Sequence, residues 1–404
     1  MQLMDLCIKC KGRGFCGKPC IILSRIKKYQ PKVSLEFSGS SPPEIFVGQY
    51  NYPNVFTGII SPAEYGDTEY LSSPEMWHSN KNDIAEILSY RAKMIYSRFS
   101  SNIKQAISKN QNKLLDLMRK ISLASKSADI NFKLKNKPVQ KINLDSHLPL
   151  MANPAFLKSA KLESNIKVEK KVDYLSNDTD VKATTAVNEL YNSDISVSNI
   201  IKLLSAGMLG LKYQRKLVPT RWAITSVDDI TSKMLLKKIR TYSQLSDILV
   251  FNADYLGNYY QILLLPKEWS FEVIESSENY FGYAKTAVWQ DYEFFSERKK
   301  YASNVTGAYY SNRLAVCEYL ESIKRQASCI VFREIRKEYW APCGVGILRE
   351  ATREAMNKKP EKFDTLNNAL KHISSKFNIP INVFIDKSKI IKNFKEQKRL
   401  SDFE

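Results

Sequence analysis

Apolar residues recur at three- and four-residue spacing from Asp83 to about Lys120, at Ile84, Ile87, Leu88, Ile95, Phe99, Ile103 and Ile107, which predicts one long helix, continuous or broken, with Ser79 or Asn80 able to cap it. The stretch before it, Pro31 to Trp77, has neither a helical nor a clean two-residue period. Its run FSGSSPPEIFVGQYNYPNVF is rich in turn formers and aromatics and predicts short strands joined by ordered turns. Further on the pattern alternates. Ile200–Leu209, Asp228–Arg240 (with an Asp cap), Tyr310–Arg325, Ile347–Asn357 and Phe363–Phe377 predict helices, whereas Thr220–Ser226, Ile248–Asn252, Tyr259–Leu265, Trp269–Ile274 and Cys329–Glu334 predict strands. Gly257-Asn258 supplies a turn between two of those strands. The expected fold is α+β, a mixed α/β body without internal repeats.

Changes in polarity along the chain suggest its divisions. Residues 1–28 form a small basic, cysteine-bearing module, and 29–157 make the first half of the body. Residues 158–186 are polar and mixed in charge and read as a linker or an exposed excursion, so a domain seam is expected there. Residues 187–385 make the second half, and 386–404, with Lys387, Lys389, Lys392, Lys395, Lys398 and Arg399, read as an exposed basic tail.

Charge and cysteine usage narrow the classes of function. The 404 residues carry 61 Lys and Arg against 42 Asp and Glu, a formal net charge of +19 that favours polyanionic partners such as DNA. No apolar run approaches the roughly 18 residues of a membrane span, and Met1–Cys20 mixes Lys, Cys and Gly where a signal peptide would be apolar. A cytoplasmic, nucleoid-associated location is expected. Four of the seven cysteines fall in the first twenty residues: Cys7, Cys10, Cys16 and Cys20. Two close pairs separated by a Gly-containing connection can wrap one tetrahedral Zn²⁺ through thiolates at about 2.3 Å, and the metal then supplies folding energy that so short a module cannot draw from a core. Four thiolates leave no open position, so the metal would be structural. An iron–sulfur cluster is the rival, although the spacing differs from the bacterial ferredoxin pattern. Lys9, Lys11, Arg13 and Lys18 around the knuckle either contact phosphates or offset the thiolate charge.

The chain ends Gln397-Lys-Arg-Leu400-Ser-Asp-Phe403-Glu404. This string resembles the peptide by which partners dock on the DNA polymerase sliding clamp (PCNA). One helical turn places Leu400 and Phe403 on one side to plug an apolar pocket, while the Gln397 amide bonds at its edge. Glu404 stands where that peptide usually has a second aromatic, so weak and transient docking is expected.

The cysteine knuckle, GSSPPEIFVGQYNYP at Gly39–Pro53, GDT at Gly66–Thr68, KLVPTRWAIT at Lys216–Thr225, WAPCGVGILREATREAM at Trp340–Met356 and the clamp-type ending together resemble the archaeal Nre family of DNA-repair proteins over nearly the whole chain. The resemblance implies a part in DNA damage repair. It also implies zinc held by Cys7, Cys10, Cys16 and Cys20, and clamp binding through Gln397, Leu400 and Phe403. It transfers no catalytic residue.

Three segments of the body are candidates for further chemistry. Gly39–Pro43 offers hydroxyls and backbone N–H groups in a stiff loop suited to an anion. Arg221, Trp222, Asp228 and Asp229 place a guanidinium, an aromatic face and two carboxylates near a strand end and a helix start. Cys343 and the CGVG turn precede a helix carrying Arg349, Glu350, Arg353 and Glu354, whose positive end would suit phosphate. Each also reads as ordinary structure: a Pro-fixed turn, helix caps, a solvated ion-pair face. Cations and aromatics interleave between Arg298 and Arg313 in a manner suited to stacking on bases. P-loop and dinucleotide fingerprints are missing from the sequence. Three functions compete: a non-enzymatic repair factor brought to the clamp by its tail, a nuclease or nucleotide-adduct hydrolase using Asp228, Asp229 or Glu350, and an RNA-binding protein.

Overall fold

The structure is a computed structural model, and it describes residues 17, 19–107, 112–139, 142–143, 145, 147–277 and 287–396. Cys7, Cys10, Cys16, Lys9, Lys11, Arg13, Lys18, Gln397, Leu400 and Phe403 lie outside the described residues. The expected mixture of helices and sheets is present, in two compact units that divide at Thr231/Ser232. Among the described residues, 17–231 with Ala341–Gly346 make the first unit, and Ser232–Trp340 with 347–396 make the second.

The first unit is built on a six-stranded sheet of order β1-β5-β8-β4-β3-β2, with β1 Glu36–Ser41, β2 Glu44–Val47, β3 Asn54–Ser61, β4 Ile95–Asn102, β5 Ala128–Leu134 and β8 Pro154–Leu162. A two-stranded ribbon, β6 Ile142–Asn143 and β7 Met151–Ala152, accompanies it. All pairs are antiparallel except β4 with β8. The helices are α1 Ile21–Tyr29, α2 Pro74–Ser79, α3 Ile84–Ala92, α4 Lys113–Leu123, α5 Lys170–Asn177, α6 Ala183–Tyr191, α7 Val197–Ser205 and α8 Thr220–Ile239.

The single helix expected over Asp83–Lys120 is instead α3, β4 and α4. Asp83 caps α3 in a reciprocal capping box with Glu86, and Asn112 caps α4. Strand β4 lies inside the sheet, with Ile95, Tyr96, Ser97, Phe99 and Ser101 all buried. Its other face carries the half-buried Arg98 and Asn102 and the exposed Ser100; because serines take two of the buried positions, Ile95 and Phe99 are left four residues apart and imitate a helix. The stretch 158–186, expected as linker, runs from the end of β8 through α5 into α6 and buries Val172 and Leu175. Thr220–Ser226, expected as a strand, is the first part of α8. Ala223, Val227 and Thr231 recur every fourth residue and are fully buried, so helical packing overrides the β-branched local preference. Asp228 therefore sits in a helix interior and is not at a helix start.

In the second unit the sheet order is β12-β11-β13-β10-β9-β14, with β9 Ile248–Tyr255, β10 Asn258–Leu265, β11 Ser270–Ser277, β12 Ala287–Glu293, β13 Ser328–Ile335 and β14 Glu361–Phe363. Only β11 and β13 pair in parallel. Helices α9 Gly307–Ser322, α10 Gly346–Asn357, α11 Leu366–Lys376, α12 Asn382–Ile385 and α13 Lys389–Glu396 complete it. An apolar core joins Val250, Leu263, Ile274 and Phe332 of the sheet to Leu370 and Ile373 of α11. Ile390 and Ile391 of α13 belong to the same core, so residues 386–396 are seated structure and not part of an exposed tail. Among the described residues no helix is long and apolar enough to cross a membrane.

Candidate nucleic-acid interface

In the first unit a cavity of about 300 Å³ opens between the ends of β2, β3, β4 and β8. Phe46, Phe56, Tyr96 and Met151 give it apolar walls, and Arg98, Asp145 and Arg221 are the charged residues among its described lining. Phe46 and Tyr96 meet edge to face, with ring centroids 5.3 Å apart, which fixes both rings.

Arg98 projects from strand β4, and its guanidinium packs against the Phe56 and Phe156 rings together, 4.6 and 4.7 Å from their centroids. Its Nε has no hydrogen-bond partner among the described residues. The cation is thus held by ring faces and no described carboxylate neutralises it.

Arg221 has a different setting. Its Nη1 donates to Asp145 Oδ2 at 3.0 Å, and its Nη2 lies 3.5 Å from His147 Nε2. The other Asp145 oxygen accepts from the His147 backbone N–H at 2.7 Å and faces His147 Nδ1 at 3.4 Å. Burial on its own would raise the Asp145 carboxyl, but the side-chain and backbone hydrogen bonds from His147 and the Arg221 charge outweigh it and hold the carboxyl below its ordinary value. The imidazole and the carboxylate together orient Arg221 at the cavity wall.

Three of the sequence blocks named above build this place. Thr220 Oγ1 at the start of α8 accepts from the Val47 N–H at 2.9 Å and lies 3.1 Å from Ser205 Oγ of α7. Gly48 N donates to Phe56 O at 2.8 Å, leading the chain from β2 into the Gly48-Gln49-Tyr50 turn. The CGVG turn serves as a buttress: Val345 N donates to His147 O, and a Cβ on Gly344, whose φ is +84°, would stand 2.8 Å from Pro149 N. That turn, one of the candidates for phosphate, is packed against the His147 segment. Cys343 in it is buried, and burial pushes its thiol up to about 12, outside the range of a reactive thiolate.

Exposed rings gather at the same place. Tyr50 lines the cavity while 70% exposed, and Tyr52 and Trp222, 42% and 45% exposed, lean together with centroids 5.3 Å apart. Trp222 follows Arg221 directly in α8. Exposed aromatics clustered around a cationic cavity mark a binding surface, since scattered rings would need no such company.

The remaining sequence candidates lie elsewhere. In Gly39–Pro43, Ser40 Oγ donates to Asp129 at 2.5 Å and accepts from Gly66 N, and Ser41 Oγ donates to Ile60 O, so the hydroxyls are spent on the sheet. A Cβ at Gly39 would collide with the Pro62 carbonyl, which explains the glycine. Asp228 is fully buried. In the second unit Glu350 accepts from Arg353, which also forms a bidentate pair with Glu318, while Arg349 is buried. Between Arg298 and Arg313 the residues divide: Arg298 binds Asp291, and Arg313, Tyr309 and Tyr310 are buried, while Lys299, Lys300 and Tyr301 are exposed. Cys20 is partly exposed and its Sγ accepts from Leu23 N at 3.5 Å as the cap of α1. Among the described residues no group of three or more His, Cys, Asp or Glu is placed to hold a metal. Sequence reasoning selected Arg221 but missed Arg98, Tyr96 and the Asp145–His147 pair, which converge only through the sheet topology.

The archaeal Nre N-terminal family matches residues 15–289, and the archaeal Nre C-terminal family matches residues 293–403. The chain is 35% identical over 394 residues to the DNA repair protein NreB of Archaeoglobus fulgidus, covering 97% of this chain and 98% of that protein. It is 33% identical to the DNA repair protein NreA of the same organism (90% and 92% covered) and 30% identical to the DNA repair protein NreA of Haloferax volcanii (87% of each). No solved structure matches. Matched along nearly its full length by both halves of the family and by these relatives, the chain belongs to the archaeal Nre family of DNA repair proteins.

Proposed function

We propose that this chain is a DNA repair factor that contacts DNA through its basic body and is recruited to the DNA polymerase sliding clamp by its last eight residues. The observation that carries the DNA half of this reading is the clustering of exposed rings and two guanidiniums around one cavity, on a chain with a net charge of +19 whose relatives are DNA repair proteins. The clamp half rests on the spacing of Gln397, Leu400 and Phe403. Zinc on Cys7, Cys10, Cys16 and Cys20 belongs to the same reading as a structural ion and rests on the spacing of these four cysteines. The full chain and a chain lacking 397–404 are compared for binding to purified clamp. Loss of binding in the truncated chain, with the thermal midpoint unchanged, is the expected result; equal binding by both removes the tail from the account.

A further inference from the structure

We propose that the cavity between β2, β3, β4 and β8 receives a single unstacked base of a DNA strand, with the flanking phosphate held by Arg98 and Arg221. This deepens the DNA half of the reading above and rests on it.

Size comes first. About 300 Å³ is at the small end of ligand cavities, which run from roughly 300 to 1,000 Å³, so one flat ring system with its sugar fits where a peptide segment does not. Wall chemistry comes second. Phe46, Phe56 and Tyr96 offer ring faces and edges to a heterocycle, and such stacking is tolerant of base identity. Gln49 belongs to the same lining, and a glutamine amide can both donate to and accept from a base edge.

Charge is the third argument. Asp145 is committed to Arg221 and His147, leaving one carboxylate against two guanidiniums in the described lining, and the Arg98 cation has only ring faces around it. The excess of positive charge in such a wall favours an anion. The fourth argument is the rim. Tyr50 protrudes at 70% exposure, and the Tyr52–Trp222 pair stands beside Arg221, so bases adjacent to the inserted one meet further rings. Rings that reach so far into water contribute little to the fold but give a single strand a stacking platform.

The test uses the full chain and a single-stranded deoxyoligonucleotide carrying one 2-aminopurine, with anisotropy for affinity and 2-aminopurine emission for the environment of the base. Tyr50→Ala is expected to weaken binding about five- to hundredfold, the range for loss of one base–aromatic stack, and to abolish the emission change. Tyr213→Ala, at a tyrosine 72% exposed and absent from the cavity lining, should change neither. Arg98→Gln should weaken binding and lower its salt dependence. Tyr96→Phe keeps the ring and serves as the check on folding: it should retain the emission change. Full-affinity binding by Tyr50→Ala and Arg98→Gln alike would overturn the proposal while leaving a DNA-binding repair factor intact. Failure of the wild type to bind any DNA would remove both the pocket and the DNA half of the reading, and clamp binding, measured separately, would stand or fall by itself. Free 2-aminopurine deoxynucleotide bound as tightly as the strand would overturn the strand as occupant, and so would tighter binding of the matching ribo-oligonucleotide.

Discussion

At the scale of single residues, buried charges are the most exacting feature of this chain. Arg313 and Glu293 are each 1% exposed and meet at 3.0 Å. Arg313 Nε also donates to Ser232 Oγ, and Trp269 Nε1 donates to Glu293 at 3.3 Å. Removing one partner of such a pair strands a charge in a medium that solvates it poorly, at a cost of about 3–5 kcal/mol. Arg313→Met should therefore lose about that much in denaturant unfolding, and adding Glu293→Gln should recover most of it. A double variant no better than the single one would show that Arg313 acts through packing alone. Asp145 gives a case with a pH signature. Its carboxyl is held below the ordinary value, so its stabilisation is fully present above the ordinary Asp range and is lost as pH falls through the lowered value. Asp145→Asn should cost about 1–3 kcal/mol at neutral pH, and the gap between variant and wild type should close on acidification towards pH 3. A gap that stayed constant over that range would mean that the ionised form is not what matters.

At the scale of elements, the helices and strands of the second half were largely legible, and the failures share one cause. β9, β10, β11 and β13 were anticipated because long Val, Ile and Leu runs between turn signals leave little choice. β4 reads as helix because Ser97 and Ser101 take buried positions and leave Ile95 and Phe99 four residues apart, and the start of α8 reads as strand because Thr220, Trp222 and Ile224 prefer strands in isolation. The C-terminal helix α13 was lost in a basic stretch, since what seats it is a distant carboxylate. Glu272 of β11 accepts from Ser388 Oγ at 2.5 Å, Lys389 N at 2.9 Å and Ile390 N at 3.3 Å, tying the first turn of α13 to the sheet. A carboxylate on free helix N–H groups also suits the helix dipole. Glu272→Ala should release α13, seen as faster hydrogen exchange at Lys389–Ile391 and a stability loss of about 3 kcal/mol, with Glu272→Gln intermediate. Unchanged exchange in the Ala variant would assign the seating of α13 to Ile390 and Ile391 alone.

At the scale of the molecule, the positive charge and the aromatic cavity make separable contributions to a complex with DNA. Charge acts through counterion release: each phosphate neutralised on a single strand adds roughly 0.7 to the steepness with which log affinity falls against log salt. Stacking in the cavity adds affinity without that dependence. The cavity itself could not be read from the sequence, because Arg98, Asp145 and Arg221 come from distant parts of the chain and meet only through the order of strands in one sheet and the CGVG buttress behind His147. Its position nevertheless yields a two-way prediction for the pair of variants at its mouth. Arg98→Gln should flatten the salt slope by about 0.7, and Tyr50→Ala should lower affinity by a similar factor at every salt concentration with the slope unchanged. Titrations of the same oligonucleotide between low and physiological salt decide it. A slope altered by Tyr50→Ala but not by Arg98→Gln would place the phosphate contacts on other basic residues, and the Arg98 cation would then be a packed element of the wall against Phe56 and Phe156.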